Sequence, residues 1–129
     1  MTENKDPVAL LQTLRVLVVE DSFLVAASLK AMLSDMGCQV VGPAPNVREA
    51  QRLLDSQDVD AAILDVNLGN GETAEPIADR LAGDSVPFFF VTGYASPKLT
   101  NPRYKSFARL QKPLDRLALR ETLLRHVDP

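Results

Sequence analysis

The run Ala61-Ala62-Ile63-Leu64-Asp65 sets four apolar residues in succession before a carboxylate, and Val66-Asn67-Leu68-Gly69-Asn70-Gly71 follows as a turn. An unbroken apolar run of this length, closed by Asn and Gly, reads as a strand buried on both faces. Such strands belong to parallel sheets, where chemistry collects at the carboxyl ends of the strands. Asp65 stands at that end. A single Asp after a strand is commonly a turn former or helix cap. What ends the other strands gives it a larger meaning.

Arg15-Val16-Leu17-Val18-Val19 is a second apolar, β-branched run and ends in Glu20-Asp21-Ser22. From Phe23 to Met36 the period changes: Val25, Leu29, Met32, Leu33 and Met36 recur at helical spacing, with Asp21 or Ser22 as cap and Gly37 as stop. Gln39-Val40-Val41-Gly42 predicts a strand, and Asn46 caps a helix over 47–56. After the 61–65 strand comes a third helix near 73–81, then the strand Val86-Pro87-Phe88-Phe89-Phe90-Val91, ending in Thr92-Gly93. Pro97 and Pro102 bracket a short or irregular helix. Phe107-Ala108-Arg109-Leu110-Gln111 is the last strand, ending in Lys112-Pro113, and Leu114, Leu117, Leu119, Leu123 and Leu124 line a final helix as core packing.

Strands alternating with helices in this way define an α/β domain, a doubly wound five-stranded parallel sheet. Right-handed crossovers put every strand's carboxyl end on one rim. That rim carries Glu20, Asp21, Asp65, Thr92 and Lys112. Three carboxylates within roughly 5 Å repel by about 3 kcal/mol per pair at an effective dielectric near 20. A hard divalent cation offsets that repulsion, and an all-oxygen site with few protein ligands suits Mg²⁺. Lys112, placed across Asp65 from the acidic pair, adds a fixed positive charge, and Thr92 adds a hydroxyl. Phosphoryl transfer to an aspartate needs this set, with Asp65 as nucleophile and the other groups neutralising oxygens as charge shifts. Asp21 is the direct metal ligand, Glu20 acts directly or through water, and the Asn67 main-chain carbonyl supplies another ligand. Gly93 leaves the phosphoryl group open to donor and water.

The acidic pair Glu20-Asp21, the strand-end Asp65, Thr92-Gly93 and Lys112-Pro113 fall in one order along alternating elements. In this the chain resembles a response-regulator receiver domain of bacterial two-component signalling, over about 15–127. The resemblance implies the flavodoxin-like (βα)5 fold and phosphorylation of Asp65 by the phosphohistidine of a sensor histidine kinase or histidine phosphotransfer protein. It also implies a need for Mg²⁺ (or Mn²⁺) and a cis bond before Pro113. Phe90-Val91-Thr92-Gly93-Tyr94 and Leu110-Gln111-Lys112-Pro113 are similar to the signatures of stand-alone FATGUY regulators, which work with a distinct class of kinases and are linked to general stress signalling. Val91 departs from that signature's Ala.

A second departure is Arg109, where receivers usually carry an aromatic residue that swings inward as the Thr hydroxyl turns to the phosphoryl group. The expectation is that the loop from Tyr94 to Pro102 takes over as the moving element. In the family, the positions of Asn67 and Tyr94 tune how long the acyl phosphate lasts. Residues 1–14 are an N-terminal extension with a short helix near Val8–Leu11, and no output domain is expected, so a binding face must read out the signal. By resemblance that face is the fourth helix, fifth strand and fifth helix, available to a downstream protein or a second copy. It is basic: eight basic and three acidic residues lie in 98–129, about +5, against about −8 elsewhere. Kinase docking is expected near Phe23 and Val25 and the loops around Asp65.

The net charge of −3 argues against nucleic-acid binding, and no apolar run approaches membrane-spanning length. Cys38 is the one cysteine, so no internal disulfide forms and the cytoplasm is the natural compartment. It reads as a small buried hydrophobe. His126 has no helical bundle around it and reads as an ordinary surface histidine. Two rivals remain. An aspartyl-phosphate hydrolase would place an Asp two residues past its nucleophile, where this chain has Asn67. A phosphorylation-independent binding module of the same fold would have no use for the assembled acidic pair, Thr92 and Lys112. A flavin site is disfavoured, because no phosphate-cradling Gly-rich loop opens the helix after the first strand.

Overall fold

Alternate residues of the inner strands enter different cores, and that alternation builds the molecule. The structure is a computed structural model that describes residues 7–93, 102–104 and 107–127. Five strands, β1 (Arg15–Val19), β2 (Gln39–Ala44), β3 (Ala61–Asp65), β4 (Phe88–Thr92) and β5 (Arg109–Gln111), form one parallel sheet in the order β2-β1-β3-β4-β5. The helices are α1 (Pro7–Gln12), α2 (Phe23–Asp35), α3 (Val47–Ser56), α4 (Glu75–Gly83) and α5 (Arg116–Val127), with a 3₁₀ turn at Pro102–Tyr104. This is the doubly wound parallel sheet expected from the strand–helix alternation, in the flavodoxin-like order that the family resemblance implies.

On one face Leu17, Val19, Ala62, Leu64, Phe88 and Phe90 meet Ala50 of α3, Ile77, Ala78 and Leu81 of α4, and Tyr104. On the other, Val16, Val18, Ile63, Phe89 and Val91 meet Leu29 and Leu33 of α2, Leu119 and Leu123 of α5, and Leu11 of α1. All of β3 is buried, as its unbroken apolar run requires. Cys38 lies buried in the second core, and burial pushes its thiol up to about 11.

The elements depart from the sequence expectation where local rules meet tertiary contacts. β2 continues past Gly42 through Pro43 to Ala44, because an edge strand tolerates Pro and a register irregularity opposite Leu17–Val19 absorbs it. Ser22 and Asn46 cap α2 and α3 through their side chains, accepting from Val25 N and Glu49 N. In α5 the leucines do not all face inward: Leu119 and Leu123 are buried, but Leu117 is 59% exposed. Two residues' separation turns a side chain by about 200° around a helix, so Leu117 and Leu119 cannot share a face. The stretch bracketed by Pro97 and Pro102 lies mostly outside the described residues.

Tyr104 is a core residue that periodicity did not single out. Fully buried, it meets Phe88, Phe90 and Phe107 edge-on at centroid distances of 5.9, 5.7 and 5.2 Å, and its hydroxyl donates to Asp79 of α4. Phe107, expected to open β5, precedes the strand and stacks on Phe88 at 5.0 Å. Truncating a buried aromatic leaves a cavity, so Tyr104→Ala is expected to cost about 3–5 kcal/mol. Tyr104→Phe, which loses only the hydroxyl bond, is expected to cost about 1 kcal/mol. Urea unfolding at constant pH measures both; equal losses would contradict this packing.

Candidate functional site

Strand register alone brings the polar strand ends together. β1 pairs with β3 through Val19 and Leu64, so Glu20 and Asp65 are the next residues on neighbouring strands. β3 pairs with β4 through Asp65 and Val91, and β4 with β5 through Thr92 and Gln111. Lys112 therefore follows beside Thr92, and its main-chain N–H donates to the Thr92 carbonyl at 2.9 Å. Glu20 is tied to the start of α2, its Oε2 accepting from Ser22 N at 3.1 Å.

One carboxylate oxygen each from Glu20, Asp21 and Asp65 lies within 4.8 Å of the others. Glu20 and Asp65 are both 2% exposed, whereas Asp21 is open to solvent. The Lys112 ammonium sits 3.0 Å from Glu20 Oε1 and 3.1 Å from Asp65 Oδ2. It bridges the two carboxylates instead of lying across Asp65 from the acidic pair, since two buried anions attract one flexible cation jointly. Its contact with Glu20 Oε1 is an ion pair, and that buried oxygen has no further hydrogen-bond partner among the described residues. Asp65 Oδ1 accepts from Asn67 N at 3.2 Å.

Burial, reinforced by the neighbouring Asp65 carboxylate, raises the Glu20 carboxyl to about 7. Burial pulls the Lys112 ammonium down, but Glu20 and Asp65 outweigh it and hold the lysine above its ordinary value. Three clustered carboxylates form an oxygen-only donor set that fits a hard divalent cation of the Mg²⁺ or Mn²⁺ kind.

The remaining candidates are placed as follows. Thr92 closes β4 half-buried, and Gly93 follows it. Asn67 lies on the loop after Asp65, its side chain accepting from Gly69 N at 3.0 Å. The bond between Lys112 and Pro113 is cis, as the family resemblance implies. Tyr94 lies outside the described residues. Arg109 faces the surface with its guanidinium 5.7 Å from the centre of the Phe90 ring, and Nη2 donates to the Tyr104 carbonyl at 2.9 Å. Of the basic residues expected on a docking face, Arg109 is thus engaged internally and Arg116 pairs with Asp35 at 3.1 Å, while Lys98 and Lys105 fall outside the described residues. At the start of α2, Phe23 (83%) and Leu24 (78%) are exposed, whereas Val25 packs against the second core. Leu24 was not anticipated; its place one residue before the inward-facing Val25 is the signal that could have found it. His126 is exposed, as expected.

A strand-end aspartate between an acidic pair and a lysine, on a sheet of order 2-1-3-4-5, defines a class of signalling domain. The chain belongs to the response regulator receiver domain family, whose profile matches residues 16–124. It is 30% identical over 100 residues to the phyllosphere-induced regulator PhyR of Methylorubrum extorquens, covering 76% of this chain and 38% of that protein. The chain therefore spans well under half the length of that curated relative. Among solved structures it resembles SdrG from Sphingomonas melonis Fr1, with 34% identity, a TM-score of 0.78, and 87% of this chain and 94% of that one covered. The PhyR receiver domain of Erythrobacter litoralis shares the fold with a TM-score of 0.79 at 22% identity, covering 93% of this chain and 97% of that one.

The raised Glu20 carboxyl gives metal-free stability a definite pH dependence. Below about pH 4.5 Glu20 is neutral in folded and unfolded chains alike; above it the unfolded chain loses the proton first. Stability from this group therefore falls as pH rises to about 7, by an amount on the order of 3 kcal/mol. Denaturant midpoints in the presence of a chelator should show the decline in wild type and a flatter profile in Glu20→Gln. A wild-type profile that rises across the same range would contradict it.

Proposed function

We propose that this chain is a two-component response regulator that accepts a phosphoryl group on Asp65 from the phosphohistidine of a sensor histidine kinase or phosphotransfer protein. The observation that carries the reading is the convergence of Glu20, Asp21 and Asp65 within 4.8 Å, with the Lys112 ammonium 3.1 Å from Asp65. Glu20, Asp21, Asp65 and the Asn67 main-chain carbonyl would hold Mg²⁺, and the ion supplies charge neutralisation for the phosphoryl oxygens. An Asp65 carboxylate oxygen attacks phosphorus and forms the O–P bond. The N–P bond breaks, and its electron pair leaves with the imidazole nitrogen, which takes up a proton. Lys112 neutralises charge on Asp65 and the incoming group, and the Thr92 hydroxyl donates to a phosphoryl oxygen.

Phe23 and Leu24, exposed beside the acidic pair, suit the apolar surface of a donor protein. Phosphorylation adds about two negative charges at the rim, and the adjoining Thr92–Gly93 segment carries the change toward the face of β5 and α5. A downstream protein or a second copy reads that face. With Arg109 held against Phe90 and Tyr104, the switch relies on the segment that follows Gly93. The likeness of Phe90–Tyr94 to the FATGUY signature supports a place in stress signalling. Autophosphorylation and hydrolysis at Asp65 are single events on the protein itself, so the chain acts as a phosphoacceptor and not as a turnover enzyme.

Intact-mass measurement after incubation with Mg²⁺ and a small acyl phosphate tests this reading. Wild type is expected to gain one phosphoryl group, Asp65→Ala none, and a chelator should abolish the gain. An unmodified wild type would favour a phosphate-independent binding module.

A further inference from the structure

The loop after Asp65 is a small hairpin that is self-contained at its tip. Asn67 and Thr73 form an antiparallel bridge, Leu68 N donates to Glu72 O at 2.9 Å, and Glu72 N donates to Gly69 O at 2.8 Å. Gly69, Asn70 and Gly71 all take left-handed φ values of 83°, 53° and 78°. The hairpin leans on the acidic pair: a Cβ at Gly69 would stand 3.1 Å from Asp21 Oδ2, so the main chain passes close over that carboxylate.

Internal bonds give the hairpin its shape but do not fix where it sits. Leu68 anchors its base in the first core. On the side toward α3 a cleft of about 500 Å³, lined in part by Asp21, Asn46, Arg48, Gly69 and Glu72, separates the tip from the helix. Glu72 spans this gap. Its Oε1 accepts from the main-chain N–H of Val47, the first residue of α3, at 2.8 Å. That N–H is one of the donors a helix leaves unmatched at its start. Asn46 serves Glu49 N at 2.9 Å, so the Val47 donor is open to a carboxylate, which a helix N-terminus also favours by charge.

We propose that Glu72 is a positioning residue for the cation site: by tying the hairpin to α3 it sets Asn67 and the Gly69 main chain against Asp21. This rests on the reading that Mg²⁺ binds there. An exposed carboxylate at a helix N-terminus is a modest tether, and its loss should weaken Mg²⁺ binding about two- to fivefold.

The test is an Mg²⁺ titration followed by amide chemical shifts, with amide exchange at Leu68 and Gly69 in metal-free protein. Glu72→Ala should show the weaker affinity and faster exchange, while its phosphorylation rate at saturating Mg²⁺ approaches wild type. Glu72→Gln keeps the acceptor without the charge and should recover much of the affinity. Asp60→Ala, which removes a carboxylate–N–H bond of the same 2.8 Å length to Arg15 at the far end of the sheet, should leave Mg²⁺ binding unchanged. Unchanged affinity in Glu72→Ala overturns the proposal. So does a Glu72→Gln as weak as Glu72→Ala, which would mark a simple charge effect, or an equal loss in Asp60→Ala, which would mark general destabilisation. If wild type itself binds no Mg²⁺, the reading of the site falls and the proposal with it.

Discussion

Two buried carboxylates sharing one ammonium is the interaction on which the rim depends. Glu20 and Asp65 are neighbours because β1 and β3 pair in parallel with Val19 opposite Leu64; no side-chain choice elsewhere could separate them without shifting the register. A register slip would also turn Leu17 and Ile63 into the wrong cores, so the hydrophobic pattern that fixes the sheet also fixes the electrostatic conflict. Lys112 answers it from the end of β5, two strands from β3 and three from β1, with the Thr92 carbonyl holding its main chain.

Much of this architecture could be read from residue order. Ala61–Leu64 and Val16–Val19 are apolar without alternation, and only a strand covered on both faces accommodates that. The identity of the rim residues followed, since parallel connections leave the carboxyl ends together. What escaped was decided by contacts distant in sequence. Nothing near Lys112 announces that it will reach Glu20 as well as Asp65. Glu72 resembles any loop acid until α3 is placed beside it, 25 residues away along the chain. Leu117 looked internal because three of the four leucines in α5, Leu119, Leu123 and Leu124, do meet the second core, and only their angular positions on the helix set it apart.

Arg109 shows how a position can change its physical role without disturbing the fold. Its guanidinium lies over Phe90 and bonds the Tyr104 carbonyl, while the Tyr104 ring fills the space between β4 and α4. An aromatic ring is thus supplied from the turn before β5 and not from β5 itself. Tyr104 holds its hydroxyl on Asp79, and burial with that carboxylate pushes its pKa up to about 12, so it stays a neutral donor throughout the physiological range.

At the opposite pole from the acidic rim, α1 acts as a stopper. Leu11 and Leu14 share a core with Cys38, and Gln12 lies so near Gly37 that a Cβ there would come within 2.9 Å of its Cγ. A version of the protein trimmed to begin at Arg15 would lose that plug and open the lower end of the sheet to water. Leu33 and Cys38 would lose apolar company there, so shortening this chain at its amino end loosens the second core from below without touching the rim.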